Sequence, residues 1–257
     1  MSGNGKASAS IVTFNNLAHV TELLGSMRRC LDLQKLDVFM SDNASSDGTV
    51  EFVEERYPQI RVLRNPRNLG FGAAHNQVLP LLHSQYHVLI NPDIVFVEDA
   101  LAPLFAYLDD HPDVAMVTPC IRNPDGSVQE LPRLRPRLKY LLARRFEGHF
   151  AWARHLCREY VRADERFEEP TDIETCTGSF CVIRTEVFER IGGFDERFFL
   201  YFEDNDLSER ASEYGRLVLC PQTQVIHHYQ RAAMVSRRAL ASQIRSMVRY
   251  FNKYGWR

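Results

Sequence analysis

Leu36-Asp37-Val38-Phe39-Met40 runs straight into Ser41-Asp42-Asn43-Ala44-Ser45-Ser46-Asp47-Gly48-Thr49, and this junction decides the fold. The first five residues suit a buried strand, the polar cluster after them is turn chemistry, and a helix is predicted from Thr49. A strand that ends in a polar turn and feeds a helix is half of a βαβ unit. The pattern extends to either side. Ser8–Phe14 is a short β-rich run, and Asn16 is placed to cap a helix carrying Leu17, Val20, Leu23, Leu24 and Met27 at helical spacing. Downstream, Ile60–Leu63 and Val88–Ile90 read as strands, Ala100–Leu108 as a helix and Val114–Thr118 as a fifth strand. The expected class is α/β, a mostly parallel central sheet flanked by helices. Ligands in such sheets bind outside the carboxyl ends of the strands.

The later half has a different texture. Asn123-Pro124-Asp125-Gly126 predicts a turn between Cys120–Arg122 and Ser127–Glu130, hence a hairpin. One or two basic helices follow, then a strand near Gly178–Ile183 and a helix over Glu186–Ile191. The Gly192-Gly193-Phe194-Asp195 turn leads into a helix from about Glu203 to Tyr214. Leu217–Cys220 and Gln224–His228 read as strands before a long basic helix. With no repeat, low-complexity tract or linker, the expectation is one domain over 1–230 with a basic amphipathic helix, 231–257, appended to it.

The 257 residues are 45% hydrophobic and carry a formal net charge of −2, which excludes disorder. No run approaches the roughly 20 apolar residues of a membrane-spanning helix. The polar first ten residues lack the apolar core of a secretory signal, so the default compartment is the cytosol. Six scattered cysteines with no Cys-x-x-Cys pair argue for reduced, mostly buried thiols. The small net charge hides an asymmetry. Arg133 to Arg162 holds nine Arg/Lys against two Glu, and Arg237 to Arg257 holds six with no acid, which leaves −15 on the rest. Both blocks interleave bulky apolar residues, a pattern that suits an anionic membrane interface. The plain alternative is a solvated helix face.

Chemistry-bearing residues follow the strands. Asp42, beside serines and an Asp-Gly turn, can accept from a nucleobase imide or a ribose hydroxyl, or can simply cap the next helix. In Asn65-Pro66-Arg67-Asn68-Leu69-Gly70-Phe71-Gly72, the glycines let backbone amides approach a ligand and Arg67 can meet a phosphate. The loop is neither a dinucleotide fingerprint nor a Walker loop. Asn91-Pro92-Asp93 puts a carboxylate at a buried strand end, where hard oxygen suits Mg²⁺ or Mn²⁺, although Asn-Pro-Asp is also ordinary turn chemistry. Glu203-Asp204-Asn205-Asp206 opens a helix, where the macrodipole favours negative charge and a carboxylate can serve as general base. His227-His228 ends a strand and can complete a metal site with Asp93.

Taken together, Ile11-Val12-Thr13-Phe14-Asn15, Asp42–Gly48, Asn68–Gly72, Asn91–Asp93, Gly192–Asp195 and Glu203–Asp206 resemble the inverting glycosyltransferases of family 2, with the GT-A fold, from about Ser8 to His228. The Asn-Pro-Asp form and His227-His228-Tyr229-Gln230-Arg231-Ala232-Ala233 look most like bacterial rhamnosyltransferases that use dTDP-L-rhamnose in O-antigen or cell-wall polysaccharide synthesis. The resemblance implies donor-binding roles for Thr13, Phe14, Asn15, Asp42, Arg67, Asn68, Gly70, Gly72 and Asn91. It implies metal ligation by Asp93 and His227, with His228 as rival, and makes Asp204 the catalytic base. Asn91 stands where the family's Asp-x-Asp motif has its first aspartate, so a single carboxylate remains there for the divalent cation.

The implied acceptor is a polyprenyl-diphosphate-linked saccharide, reached by an enzyme docked on the inner face of the cytoplasmic membrane through its basic helices. Two alternatives stay open. One is the same chemistry with another donor such as a UDP-hexose, and the other is a non-enzymatic membrane-surface or nucleic-acid-binding module.

Overall fold

The computed structural model describes residues 6–129, 132–228 and 237–256. Nine strands form one sheet: β1 (Ala7–Thr13), β2 (Leu36–Asp42), β3 (Arg61–Arg64), β4 (Tyr86–Ile90), β5 (Ile94–Phe96), β6 (Val114–Arg122), β7 (Thr171–Asp172), β8 (Phe180–Arg184) and β9 (Arg216–His227). The helices are α1 (Leu17–Cys30), α2 (Thr49–Arg56), α3 (Phe71–Asn76), α4 (Leu101–Asp110), α5 (Leu138–Phe146), α6 (Ala151–Tyr160), α7 (Thr185–Arg190), α8 (Glu203–Ala211) and α9 (Arg237–Tyr254).

The strand order is β3-β2-β1-β4-β8-β6-β9-β5, with β7 also on β9. The first four strands are parallel, as the βα pattern requires. The sheet as a whole is mixed, because β8 runs antiparallel between β4 and β6. That reversal positions the site. Ile90 pairs with Phe180, so the loop entering β8 lies beside the carboxyl end of β4.

Both faces of the sheet are covered. On one, Val20, Leu23, Leu24 and Met27 of α1 pack at their helical spacing against Ile11, Val88 and Ile90. On the other, Leu89, Cys181 and Ile183 pack against Phe188, Phe194 and Leu207. Burial of each such side chain is worth about 1.5–3 kcal/mol. All five residues of β4 are buried, which explains why it reads as a continuous run rather than an alternation. The second face also encloses a polar cluster. Ser10 Oγ lies 2.7 Å from His75 Nδ1 and 2.8 Å from His87 Nε2, and Ser8 Oγ lies 2.8 Å from His87 Nδ1. Burial pushes the His87 pKa down to about 3 and that of His75 well below its ordinary value.

Two expectations are revised. The hairpin after β6 shrinks to one bridge, Arg122 to Val128, with Gln129 N–H donating to Ile121 O; Glu130 lies outside the described residues. The two strands expected at the end are one, β9. Its register against β6 shifts near Pro221, which has no N–H to give. The expected boundary near residue 230 falls among residues that are not described. Beyond it, α9 packs closely on the fold: Tyr250 and Phe251 are buried with Phe198 and Phe202, and Ser246 Oγ donates to Leu200 O at 2.9 Å. All six cysteines are free thiols, four of them buried.

Candidate active site

The carboxyl ends of β1 and β2 make the first wall. Thr13 Oγ1 donates to Asp42 Oδ1 at 2.8 Å, and the Ser45 N–H donates to Oδ2 at 2.9 Å. Asp42 is buried with both oxygens engaged, so it orders the turn. Asn15, at φ 54°, is pinned across the same turn by its N–H to Ser45 Oγ and its Oδ1 to the Ser46 N–H. Phe14 and Asn15 stand exposed on the rim.

The loop before α3 is organised by a residue the sequence reading passed over. Buried Asn43 donates to Gly70 O and accepts from the Leu69 N–H and from Asn65 Nδ2, each at 3.1 Å. Asn68 Oδ1 accepts from the Gly70 N–H at 2.9 Å, while Arg67 is exposed at the rim. Both glycines are required by close approach. Gly70 sits at φ +91°, and a Cβ there would lie 2.5 Å from Phe199 O; a Cβ at Gly72 would lie 2.6 Å from Phe194 Cβ. The Phe71 N–H donates to Phe199 O at 2.9 Å, joining this loop to the 194–202 segment.

The end of β4 carries Asn91 and Asp93. The Asn91 N–H donates to Ser179 O at 2.8 Å, while the side-chain oxygens Asn91 Oδ1 and Asp93 Oδ1 are buried without a hydrogen-bond donor. His227 Nε2 lies 3.3 Å from Asp93 Oδ1. Gln129 holds His227 twice, through Nε2 to its carbonyl at 3.0 Å and through Oε1, 3.1 Å from Nδ1. When Nδ1–H donates to Gln129, the Nε2 lone pair faces the carboxylate, an arrangement that favours a cation between them. The donor set therefore fits a divalent ion with two protein ligands. Among the described residues no group of three or more His, Cys, Asp or Glu could hold a metal. His228 turns elsewhere, with Nε2 3.8 Å from Glu22 Oε1 beside α1.

α8 begins after two consecutive residues at positive φ, Tyr201 (68°) and Phe202 (66°). Neither is glycine, and such strain persists only where surroundings enforce it. Asp204 is half-buried; its Oδ2 accepts from the Gly178 N–H at 3.3 Å and its Oδ1 from Asn205 at 2.9 Å. Burial raises its pKa, opposed by those N–H groups and by Arg133. Glu203 is buried and held well above its ordinary value, by burial first and by the charge of Asp204 second. Asp206 is fully buried in an ion-pair cluster with Arg210 Nε at 2.8 Å, Lys253 Nζ at 2.5 Å and Tyr254 Oη at 2.8 Å, so it anchors α8 to α9. The three acids of one tetrad thus do three jobs. Gly178 and Ser179 tie the groups together: one holds Asp204 and the next holds Asn91. A cavity of about 360 Å³ opens alongside, lined by Thr118, Arg122, Arg166, Phe167, Thr175 and Thr177 among others.

The family described as Glycosyl transferase family 2 matches residues 8–192, which carry the ends of β1, β2 and β4, the loop before α3 and Gly178–Ser179, while Asp204 and His227 lie beyond the match. The chain belongs to glycosyl transferase family 2. A second family, described as the N-terminal domain of galactosyltransferase, matches residues 158–233. The family 2 chain is 30% identical over 229 residues to the N-acetylglucosaminyl-diphospho-decaprenol L-rhamnosyltransferase of Mycobacterium tuberculosis, covering 84% of this chain and 74% of that one. It is 27% identical to the rhamnosyltransferase WbbL of Escherichia coli, covering 70% and 69%. In fold it resembles the mannosyltransferase PcManGT of Pyrobaculum calidifontis, solved with GDP-Man and Mn²⁺. The TM-score is 0.66 at 18% identity, over 96% of this chain and 64% of that one. TarS of S. aureus superimposes with a TM-score of 0.65, and this chain spans 60% of that structure's length. The neighbours are GT-A glycosyltransferases, and this family 2 member shares their fold.

Proposed function

We propose that this family 2 glycosyltransferase moves L-rhamnose from dTDP-β-L-rhamnose to a polyprenyl-diphosphate-linked saccharide, inverting the anomeric centre, in O-antigen or cell-wall polysaccharide synthesis. The observation that carries the reading is the junction at Gly178–Ser179, which holds a half-buried carboxylate and the end of β4 in one frame. The rhamnosyltransferase relatives support the donor sugar, and the decaprenol-linked acceptor in the name of one supports the acceptor class.

In this reading the acceptor hydroxyl loses its proton to Asp204 Oδ2 as its oxygen bonds to the anomeric carbon. The bond to the nucleoside diphosphate breaks on the opposite face, through an oxocarbenium-like state related to that of glycoside hydrolysis. The raised pKa of Asp204 suits a base that must take up a proton, a role worth typically 10²–10⁴-fold. The turn over Thr13–Asn15 and Asp42, with Asn68, Gly70 and Gly72, cradles the nucleotide; Arg67 reaches the phosphates, and Asn91 Oδ1 accepts from a sugar hydroxyl. Asp93 and His227 would hold a divalent ion, Mg²⁺ or Mn²⁺, whose chemistry is to neutralise charge on the departing diphosphate. The cavity beside Thr175 and Thr177 receives the acceptor. In the same reading the lipid-linked acceptor is met by peripheral docking at the cytoplasmic face, to which the basic, aromatic-bearing α5 and α6 are suited.

The test is donor hydrolysis and transfer by the purified protein with dTDP-rhamnose, UDP-sugars and GDP-sugars, each with Mg²⁺, Mn²⁺ or EDTA. The expected result is turnover of dTDP-rhamnose that EDTA and Asp93→Ala both suppress. Preference for a UDP-hexose would overturn the donor, and unimpaired turnover in EDTA would overturn the metal.

A further inference from the structure

The first basic block folds as a hairpin of helices, α5 and α6, whose tip is unlike any other surface of the described chain. Residues 144–152 are exposed without interruption. Within them stand three large aromatic side chains, Phe146 at 41%, Phe150 at 49% and Trp152 at 50% exposure, with Leu142 at 51% one turn before. The rings pack on one another rather than on the core. Phe150 stacks on Trp152 at 6.1 Å, and Phe146 lies 6.1 Å from Phe150 and 6.2 Å from Trp152. The hairpin is fixed from behind by buried Tyr140, Ala143, Ala153, Cys157 and Tyr160, so this knob is presented on a rigid support.

Its charge points to the partner. Arg144 and Arg145 flank the knob and form no ion pair with a carboxylate among the described residues, unlike Lys139 and Arg158, which are matched to Glu159 and Asp164. Glu147 is the single acid between Arg137 and Arg158. Clustered Trp and Phe rimmed by unpaired arginine is the composition of an element that seats at the headgroup boundary of an anionic bilayer.

The second basic element contrasts with it. The aromatic face of α9 is turned inward, with Tyr250 and Phe251 buried, and among its described side chains Leu240, Ile244 and Val248 form an exposed apolar line. The two helices are neighbours, since Leu141 of α5 and Met247 of α9 pack on the same aromatic cluster as Phe198 and Phe202. That cluster lies just ahead of Asp204 in the chain.

We propose that the Phe146–Phe150–Trp152 knob inserts into the interface of an anionic membrane, with Arg144 and Arg145 on its headgroups, and so seats the active site at the bilayer surface. This deepens the reading of a lipid-linked acceptor given above and rests on it for its purpose.

The experiment is partition of the full chain onto vesicles of phosphatidylcholine with and without phosphatidylglycerol. It compares wild type, the triple variant Phe146→Ser/Phe150→Ser/Trp152→Ser, Arg144→Glu/Arg145→Glu, and Leu240→Ser/Ile244→Ser. Either tip variant is expected to lower partition onto anionic vesicles at least about tenfold, since each basic residue at such a surface is worth several-fold. The α9 variant is expected to lower it less. With Trp256→Phe as background, Trp152 is the sole tryptophan; its emission should shift to the blue on vesicles and be quenched by brominated acyl chains.

Because all substituted tip residues are exposed, melting temperature and donor hydrolysis in solution should stay at the wild-type level. Absence of anionic-vesicle binding by wild type, equal binding by the tip variants, or an unshifted Trp152 overturns the proposal. So does lipid-independent self-association that the triple variant abolishes, which would make the knob a contact between copies. Failure of dTDP-rhamnose turnover with vesicle binding intact would remove the donor assignment and leave the membrane element standing.

Discussion

Replacing Gly70 by alanine probes the contact that joins the two halves of the site. The added methyl carbon would lie 2.5 Å from the Phe199 carbonyl oxygen, 2.9 Å from its ring and 3.1 Å from its Cα. Two of the three atoms are backbone, so relief requires Phe199 to retreat by several tenths of an ångström. The φ of +91° adds about 1–2 kcal/mol for any residue with a Cβ. Stretching the Phe71 N–H bond to Phe199 O costs about 1 kcal/mol more. A loss of about 2–3 kcal/mol in a chain of this size lowers the melting temperature by roughly 5–10 °C. Phe199 leads through the strained Tyr201–Phe202 pair to Asp204, and misplacing a reacting group by about 1 Å costs on the order of 100-fold. The expected outcome is a kcat down about 100-fold, with donor affinity weakened as well because the same loop cradles the nucleotide, read from transfer kinetics and donor titration. Gly25→Ala inside α1 is the control. Its new carbon meets only the end of the Arg29 side chain at 3.5 Å, so a gain of about 0.5–1 kcal/mol with unchanged activity is expected. Wild-type melting and turnover in Gly70→Ala would refute the reasoning. Weakened donor binding with kcat intact would confine Gly70 to the nucleotide cradle and remove its coupling to Asp204 through Phe199.

Asp204→Asn should lower kcat by about 10²–10⁴-fold while donor affinity persists. In the wild type the acid limb of the kcat/KM profile should lie above the ordinary aspartate range, because burial favours the protonated form; a limb within that range would remove Asp204 as the base. The buried, neutral histidines make the fold acid-sensitive. The unfolded chain takes up protons below pH about 6.5 and folded His87 does so only near 3, so stability is constant above that window and falls as pH drops through it. From His87 alone, urea denaturation should lose about 2 kcal/mol between pH 6.5 and 5, with His75 adding in the same direction, and a flat profile would contradict the assignment. Tyr254→Phe removes a 2.8 Å bond to the Asp206 carboxylate and should cost about 1.5–3 kcal/mol by denaturant titration. Its kcat should fall more than its KM changes, and rates equal to wild type would show that α9 does not position the base helix.

The first half of this fold was legible because each strand is a short apolar run closed by turn residues, and α1 carries its buried side chains at unbroken helical spacing. The antiparallel insertion of β8 was not, since Phe180–Arg184 is buried on both faces and a continuous apolar run does not encode direction. Pro221 split β9 in two on paper, whereas the strand absorbs it as a register shift. In the site, Asp204, Asp93 and His227 stood out by type and place at strand or helix ends. Asn43, Gly178, Phe199 and Gln129 did not, because each acts through a contact with a distant segment. One signal was available for Gly178: a glycine entering a strand marks close backbone approach, here of Asp204 Cβ and the Phe71 ring. The inward face of α9 was concealed by its alternation of arginine with aromatic residues, which fits a lipid surface and a protein surface equally well.

The insertion of β8 beside β4 also bears on how the enzyme acquires competence during synthesis. Asn91 and the Gly178–Ser179 junction are brought together only when a strand made late is threaded into a sheet whose edge was made early. Closing so long a loop is entropically slow. A nascent chain that has finished β1 to β4 therefore exposes an unpaired β4 edge and lacks Asp204, the proposed base. Partial products cannot hide that edge, so dependence on chaperones should be timed by the emergence of a single five-residue strand, while onset of activity waits for the proposed base Asp204 and for His227 further along the chain.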